Sequence, residues 1–169
     1  MGIFRITASA DNTISNAYNQ TLSIRATGSN MGASDILEVF TIYGQQASSS
    51  VEKSRILIEF PLNAVPSSTV VGSREFYLCM KNARHSEAVP DDFKLFVSPV
   101  SQSWEEGFGL DMAEYSDLTY NKEGSNWIQA RLSASNDDDG KWTSEGGDYL
   151  YAQAKTASFA TGLEDIKLD

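Results

Sequence analysis

Ser54-Arg55-Ile56-Leu57-Ile58-Glu59-Phe60 is the stretch whose reading decides the fold. Ile56, Ile58 and Phe60 recur with the period of two that places alternate side chains on one face of a β-strand. Arg55, Leu57 and Glu59 fall on the other face, where two charges flank one apolar residue, so that face is expected to be half covered. Pro61 follows and has no N–H to give to a ladder, which ends the pairing. The stretch therefore reads as a central strand.

Upstream, residues 36–43 are apolar at nearly every place, with Leu37, Val39 and Tyr43 on one side and Ile36, Phe40 and Ile42 on the other. That pattern predicts a strand buried on both faces and paired with residues 54–60. Residues 44–53, rich in Gln and Ser, read as an exposed flexible loop. Residues 21–25 alternate and predict a short edge strand, and the Asn-rich residues 11–20 read as turn chemistry. Residues 3–10, with Phe4, Ile6 and Ala8 on one side, predict a strand that ties down the start of the chain.

Downstream, a polar crossing with Pro66, Ser67 and Ser68 leads to two strong strand patterns, at 75–81 and 93–100. Residues 101–130 carry two tryptophans, three glycines (Gly107, Gly109, Gly124) and a crowd of acids, and predict a long ordered loop with one helical turn around 112–115. Asn136-Asp137-Asp138-Asp139-Gly140 reads as an exposed turn, residues 149–154 as a weak strand, and residues 163–169 as a last strand with Ile166 and Leu168 inward. Short strands, long polar loops and no helix beyond two turns predict an all-β fold, a jelly-roll-like antiparallel β-sandwich over residues 1–169 as one domain. A chain of 169 residues is long enough for one good core and short for two.

Thirteen Lys plus Arg against 23 Asp plus Glu give a net charge of -10, which argues against nucleic acid and against anionic membrane surfaces. Cys79 is the single cysteine, so no disulfide framework, zinc finger or CxxC pair can be built within the chain. Its place in the apolar run at 76–80 predicts a buried small hydrophobe. No run approaches the roughly 18 apolar residues of a membrane span. The opening residues lack the apolar core of a signal peptide, and Ile6 stands where a myristoylation pattern wants Ser or Thr. Asn19-Gln20-Thr21 is a glycosylation sequon that matters only in a chain secreted by a eukaryote.

Glu105 and Glu106 beside Trp104, followed by Asp111, Glu114 and Asp117, suggest the carboxylate pair of a glycosidase. Adjacent residues on a strand point to opposite faces, so these two read instead as a solvated acidic loop. Hard cations want oxygen ligands, but the acids here, including Asp137, Asp138 and Asp139, lack EF-hand spacing. No metal and no cofactor is expected. His85 is the sole histidine and no G-x-S-x-G elbow occurs, so no reaction is expected either. Trp104, Trp127 and Trp142 could form an aromatic platform for sugar. The favoured reading buries Trp104 and Trp127 as pins for the 101–130 loop and leaves Trp142, beside the acidic turn, the most exposed of the three.

The run at 54–62, then Ser103-Trp104-Glu105-Glu106-Gly107 and Asn126-Trp127, in that order, resembles the DNRLRE-type module, a jelly-roll β-sandwich related to carbohydrate-binding modules. The fuller run Ser103-Trp104-Glu105-Glu106-Gly107-Phe108-Gly109-Leu110-Asp111, with Gly28-Ser29-Asn30-Met31-Gly32-Ala33-Ser34-Asp35 upstream, is similar to virion structural proteins of tailed, notably marine, bacteriophages that carry the module. The resemblance covers most of the chain, and its motifs carry a fold more specifically than a function. It implies a non-enzymatic virion component of the capsid exterior, neck or tail, contacting other virion proteins in an oligomeric assembly. The alternative is a carbohydrate-binding module of a tail fibre or secreted bacterial protein, with Trp104, Trp127 and Trp142 as the glycan site; a carbohydrate-active enzyme comes third. In the module such a segment as 163–169 leads into further residues, so the chain is expected either to continue past Asp169 or to receive a strand from a partner.

Overall fold

The computed structural model of the chain describes residues 3–19, 21–44, 47, 49–66, 75–83, 89–110, 124–132 and 139–169. Among these the fold is all-β, with antiparallel pairing throughout and short 3-10 turns in place of α-helix. The chain divides into two compact units, Met1–Val65 with Gln102–Asp148, and Pro66–Ser101 with Tyr149–Asp169.

In the first unit the stretch at 54–60 is the central strand, as its pattern predicts. Strand β1 (Ala10–Ser15) and strand β2 (Thr41–Tyr43) flank strand β3 (Val51–Glu59) on either side. Directly opposed residues of antiparallel strands share a face, so Asn12 and Leu57 lie together, as do Ile14 and Arg55. On this face Leu57 is buried, whereas Ile56 and Ile58 on the other are half-buried. The mixed face is therefore the better covered at its centre, because it meets Ile14 and the loop that carries Trp127.

The second face is crossed by the residues just before β2. Phe40 N–H donates to Ser54 Oγ at 2.8 Å, Ser54 Oγ donates to the Glu38 carbonyl at 2.9 Å, and Glu38 N–H donates to Thr13 Oγ1 at 3.1 Å. Phe40 keeps one ladder bond, its carbonyl accepting Ser54 N–H at 3.1 Å, and before it the hydroxyls take over the backbone N–H groups. So the strand expected over 36–43 survives only as Thr41–Tyr43, paired with Val51–Lys53, and Ile36 and Val39 are exposed.

The expected strand at 3–10 and turn at 11–20 are displaced in the same manner. Pairing starts where Ser9 N–H meets the Glu59 carbonyl at 2.8 Å, and β1 runs on through residues expected to turn. Asn12, Thr13 and Ser15 are buried there, so tertiary bonding overrides the poor strand propensity of Asp and Asn. Among the described residues, 3–8 find no strand to join, since β3 stops at Glu59 and Phe60-Pro61 turn into the 3-10 turn Leu62–Ala64. The edge strand expected at 21–25 is instead a loop gathered by Asn19. Its Oδ1 accepts the N–H groups of Ser23 and Ile24, and one bridge, Tyr18 to Arg25, remains.

The second unit holds strand β4 (Leu78–Met80), strand β5 (Phe93–Val97), strand β6 (Lys155–Phe159) and strand β7 (Ile166–Leu168), paired β4 with β7 and β5 with β6. The patterns at 75–81, 93–100 and 163–169 are thus strands, shortened at their ends, with Ile166 and Leu168 half-buried and Lys167 exposed. Residues 149–154 form a 3-10 turn, Tyr151–Gln153, where a weak strand is expected; Tyr149 keeps one bridge, to Val100. The polar segment Lys155-Thr156-Ala157-Ser158-Phe159 gives little strand signal and is held by its partner. Phe159 opposes Phe93, and their rings stack at 4.5 Å and 3°. Cys79, expected buried, is exposed, because the alternation that turns Leu78 and Met80 inward sends it outward, opposite Lys167.

Leu57→Ala should lower unfolding free energy by about 2–5 kcal/mol in a denaturant titration, and Ile56→Ala by clearly less, since only the first empties a fully enclosed site. Equal losses would contradict the assignment of faces.

Candidate functional site

Three blocks singled out in the sequence, at 28–35, at 103–110 and at Asn126-Trp127, come together in the first unit around two buried amides. Asn30 Nδ2 donates to the Glu106 carbonyl at 2.6 Å and the Ser125 carbonyl at 2.8 Å, and its Oδ1 accepts Gly109 N–H at 2.8 Å and Gly32 N–H at 3.2 Å. Asn12 Nδ2 donates to the carbonyl and hydroxyl oxygens of Ser125, at 2.9 and 2.8 Å, while its Oδ1 accepts Met31 N–H at 3.1 Å. Each nitrogen and each oxygen of both amides has a partner, as burial requires. The backbones touch closely: a Cβ on Gly32 would stand 2.2 Å from the Glu106 carbonyl oxygen. Glycine is needed there for space.

Glu105 and Glu106 do point to different elements, but each binds backbone. Glu106 Oε1 accepts Asp11 N–H at 2.8 Å, and Glu105 Oε2 accepts Leu132 N–H at 3.0 Å. Burial, and then the nearby charge of Glu106, push the Asp11 carboxyl above its ordinary value. Asp111, Glu114, Asp117, Asp137, Asp138 and His85, and the helical turn expected at 112–115, lie outside the described residues. Asp139 is exposed in a turn, and among the described residues no three His, Cys, Asp or Glu side chains gather as a metal site.

Trp127 is 5% exposed, as expected of a loop anchor. Its N–H donates to the Thr27 carbonyl at 3.0 Å, its carbonyl accepts Gly146 N–H at 2.7 Å, and the Arg55 guanidinium sits 5.0 Å from its ring centre. Arg55 Nη1 also donates to the Gly146 carbonyl, so strand β3, the tryptophan and the turn at 144–147 are clamped together. Trp142, expected to be the most exposed of the three, is also only 5% exposed, because its indole N–H reaches inward to the Asn126 carbonyl at 2.8 Å. Trp104 is half-buried. The rings of Trp127 and Trp142 thus offer no open stacking face to a sugar.

Sequence reasoning missed two further features. Glu52, on β3, is enclosed; its Oε2 accepts Tyr18 N–H at 2.8 Å, and Arg25 lies over the Tyr18 ring at 4.4 Å while donating to the Asn16 and Val51 carbonyls. Alternation of the strand was its only signal. In the second unit, Phe96 and Tyr151, 60% and 65% exposed, hold their rings 6.3 Å apart with planes inclined by 40°. Phe96 shares the outer face of the β5–β6 pair with Lys94, Thr156 and Ser158.

No protein-family model, no curated protein and no solved structure matches the chain.

Asn30→Ala should cost about 3 kcal/mol or more in thermal or chemical unfolding, since several buried backbone groups lose partners that are worth about 1–3 kcal/mol each. A loss of a few tenths would remove the network from its central place.

Acid titration tests the second unit. Glu164 Oε1 accepts the N–H groups of Thr161 and Ala160, and backbone bonds, that of Thr161 foremost, hold its carboxyl down to about 2 against an ordinary 4.5. A depressed carboxylate stabilises the fold above 4.5 and loses that effect as pH falls toward 2. Glu164→Gln should therefore melt below wild type at neutral pH, with the two melting temperatures converging through that window; a constant gap would contradict the assignment.

Proposed function

We propose that this chain is a non-enzymatic structural protein of a bacteriophage virion, a component of the capsid exterior, neck or tail that acts by protein contacts and is built on a jelly-roll module. The observation that supports this best is how the blocks that resemble phage virion proteins use their polar side chains. Asn30 and Glu105 bind backbone of neighbouring loops, Glu106 binds that of strand β1, and Trp127 is enclosed beneath Arg55. Side chains spent on fixing loops suit a protein whose output is a rigid surface. Immunogold electron microscopy of particles from a host carrying the gene, with an antibody against this chain, is expected to label the exterior, neck or tail. Purified particles devoid of the chain would overturn the proposal.

The glycan-binding alternative keeps one supporting observation, the exposed pair Phe96 and Tyr151, beside the hydroxyls of Thr156 and Ser158. Aromatic faces next to hydroxyls suit the apolar faces and polar rims of sugar rings. Retention of the chain on a glycan array, abolished by Phe96→Ala, would favour this reading over the scaffold; no retention is expected.

A further inference from the structure

Asp139-Gly140 is the only place in the chain where an aspartate or an asparagine precedes a glycine. In such a pair no side chain on the second residue hinders its amide nitrogen from reaching the carboxyl of the first, so a five-membered succinimide ring can close. The structure leaves both groups free to react. Asp139 is exposed in a turn, and among the described residues its carboxylate has no hydrogen bond or ion pair and the Gly140 N–H has no acceptor. Other aspartates are engaged or confined: Asp148 accepts the N–H groups of Thr143 and Ser144, Asp165 holds Lys81 and the Asn82 N–H, and Asp11 lies within β1. The residues after the pair build a short ladder. The Gly140 carbonyl accepts the N–H groups of Ala130 at 2.7 Å and Arg131 at 3.2 Å, Lys141 bridges Gln129, and Trp142 N–H donates to the Ile128 carbonyl at 3.1 Å. That ladder seats the buried Trp142, whose indole bonds Asn126, next in sequence to the Ser125 that both buried amides share.

We propose that Asp139 is a site of spontaneous isomerisation to isoaspartate, a product that a carboxyl methyltransferase specific for isoaspartyl residues would recognise, and that the product loosens this ladder. The Gly140 nitrogen attacks Cγ of Asp139. A C–N bond forms as the carboxyl loses its OH, which leaves with the amide proton as water. A second water then opens the ring. Attack at Cγ restores aspartate, and attack at the former main-chain carbonyl gives isoaspartate, whose chain runs through Cβ and Cγ and is one methylene longer. No oxidant, cofactor or partner is consumed, so the reaction is independent of the proposed virion role. The extra methylene enters directly before Gly140, so the bonds from its carbonyl to Ala130 and Arg131 are the first to be displaced.

Ageing the folded full chain in buffer made with heavy-oxygen water tests this, with peptide mass spectrometry as one readout and methyl transfer by an isoaspartyl methyltransferase as the other. The peptide holding Asp139 is expected to gain heavy oxygen and methyl-accepting isoaspartate ahead of those holding Asp11, Asp35, Asp148 or Asp165. Asp139→Glu, which would have to close a larger ring, should lose both signals at this position. Asp139→Asn, which closes the same ring by expelling ammonia, should gain them faster than wild type. Both substitutions are at an exposed side chain without a partner among the described residues, so the fold is expected to be kept. The isoaspartyl fraction, separated by chromatography, should melt below the unaged protein. Label spread evenly over the aspartates, an Asp139→Glu position labelled like wild type, or an isoaspartyl fraction that melts with the unaged protein would each overturn the proposal.

Discussion

The burial of two asparagine amides is the constraint on which the first unit depends. Asn12 sits in a strand and Asn30 in a loop, and both converge on Ser125, so one strand and two distant loops share the same few hydrogen bonds. An enclosed amide left half-bonded costs more than a satisfied one contributes, which makes the arrangement close to all-or-none. That is why the surrounding backbones approach to distances that exclude a methyl group at Gly32 and at Gly124, whose φ of 81° also favours glycine.

The three-stranded sheet of this unit is covered on both faces by irregular chain. On one side the segment at 38–40 is held by the hydroxyls of Ser54 and Thr13; on the other Arg55 grips both the Trp127 ring and the Gly146 carbonyl. Loops normally lie at the surface because their backbone groups need partners. Here side chains of the sheet supply those partners, and the loops serve as layers. The glutamates at 105 and 106 do the same for their own neighbours.

This explains which parts were legible in the sequence. Strand β3 has an apolar alternation and a proline stop, both local, and its central place follows from them. Strand β7 and the inward turn of Ile166 and Leu168 were legible for the same reason. Strand β1 was not: Ala-Asp-Asn-Thr-Ile-Ser has no period of two, and its strand state rests on the ladder to Ser54–Glu59 and on the buried amide of Asn12, whose partner Ser125 lies 113 positions away. The alternation at 36–43 and at 3–8 was real, but hydroxyls of the sheet captured the first and the early end of β3 stranded the second. Trp142 was misjudged because a neighbouring acidic turn suggests exposure, while one indole hydrogen bond decides the matter. Glu105 and Glu106 were visible as a pair of acids; that they would cap backbone N–H groups was not, since the partners, Leu132 and Asp11, lie far along the chain.

The separation of 113 residues between Asn12 and Ser125 has a kinetic consequence. The whole of Pro66–Ser101 is synthesised between the two halves of the first unit, so β1 and β3 leave the ribosome well before the loops that cover them. Contacts so distant in sequence make closure slow, because the entropy of joining the ends is lost before the bonds form. For that interval the nascent chain presents a half-covered sheet with its amides unbonded. Its yield in a cell should accordingly depend more on chaperone supply and on the pace of translation than on the stability of the finished fold.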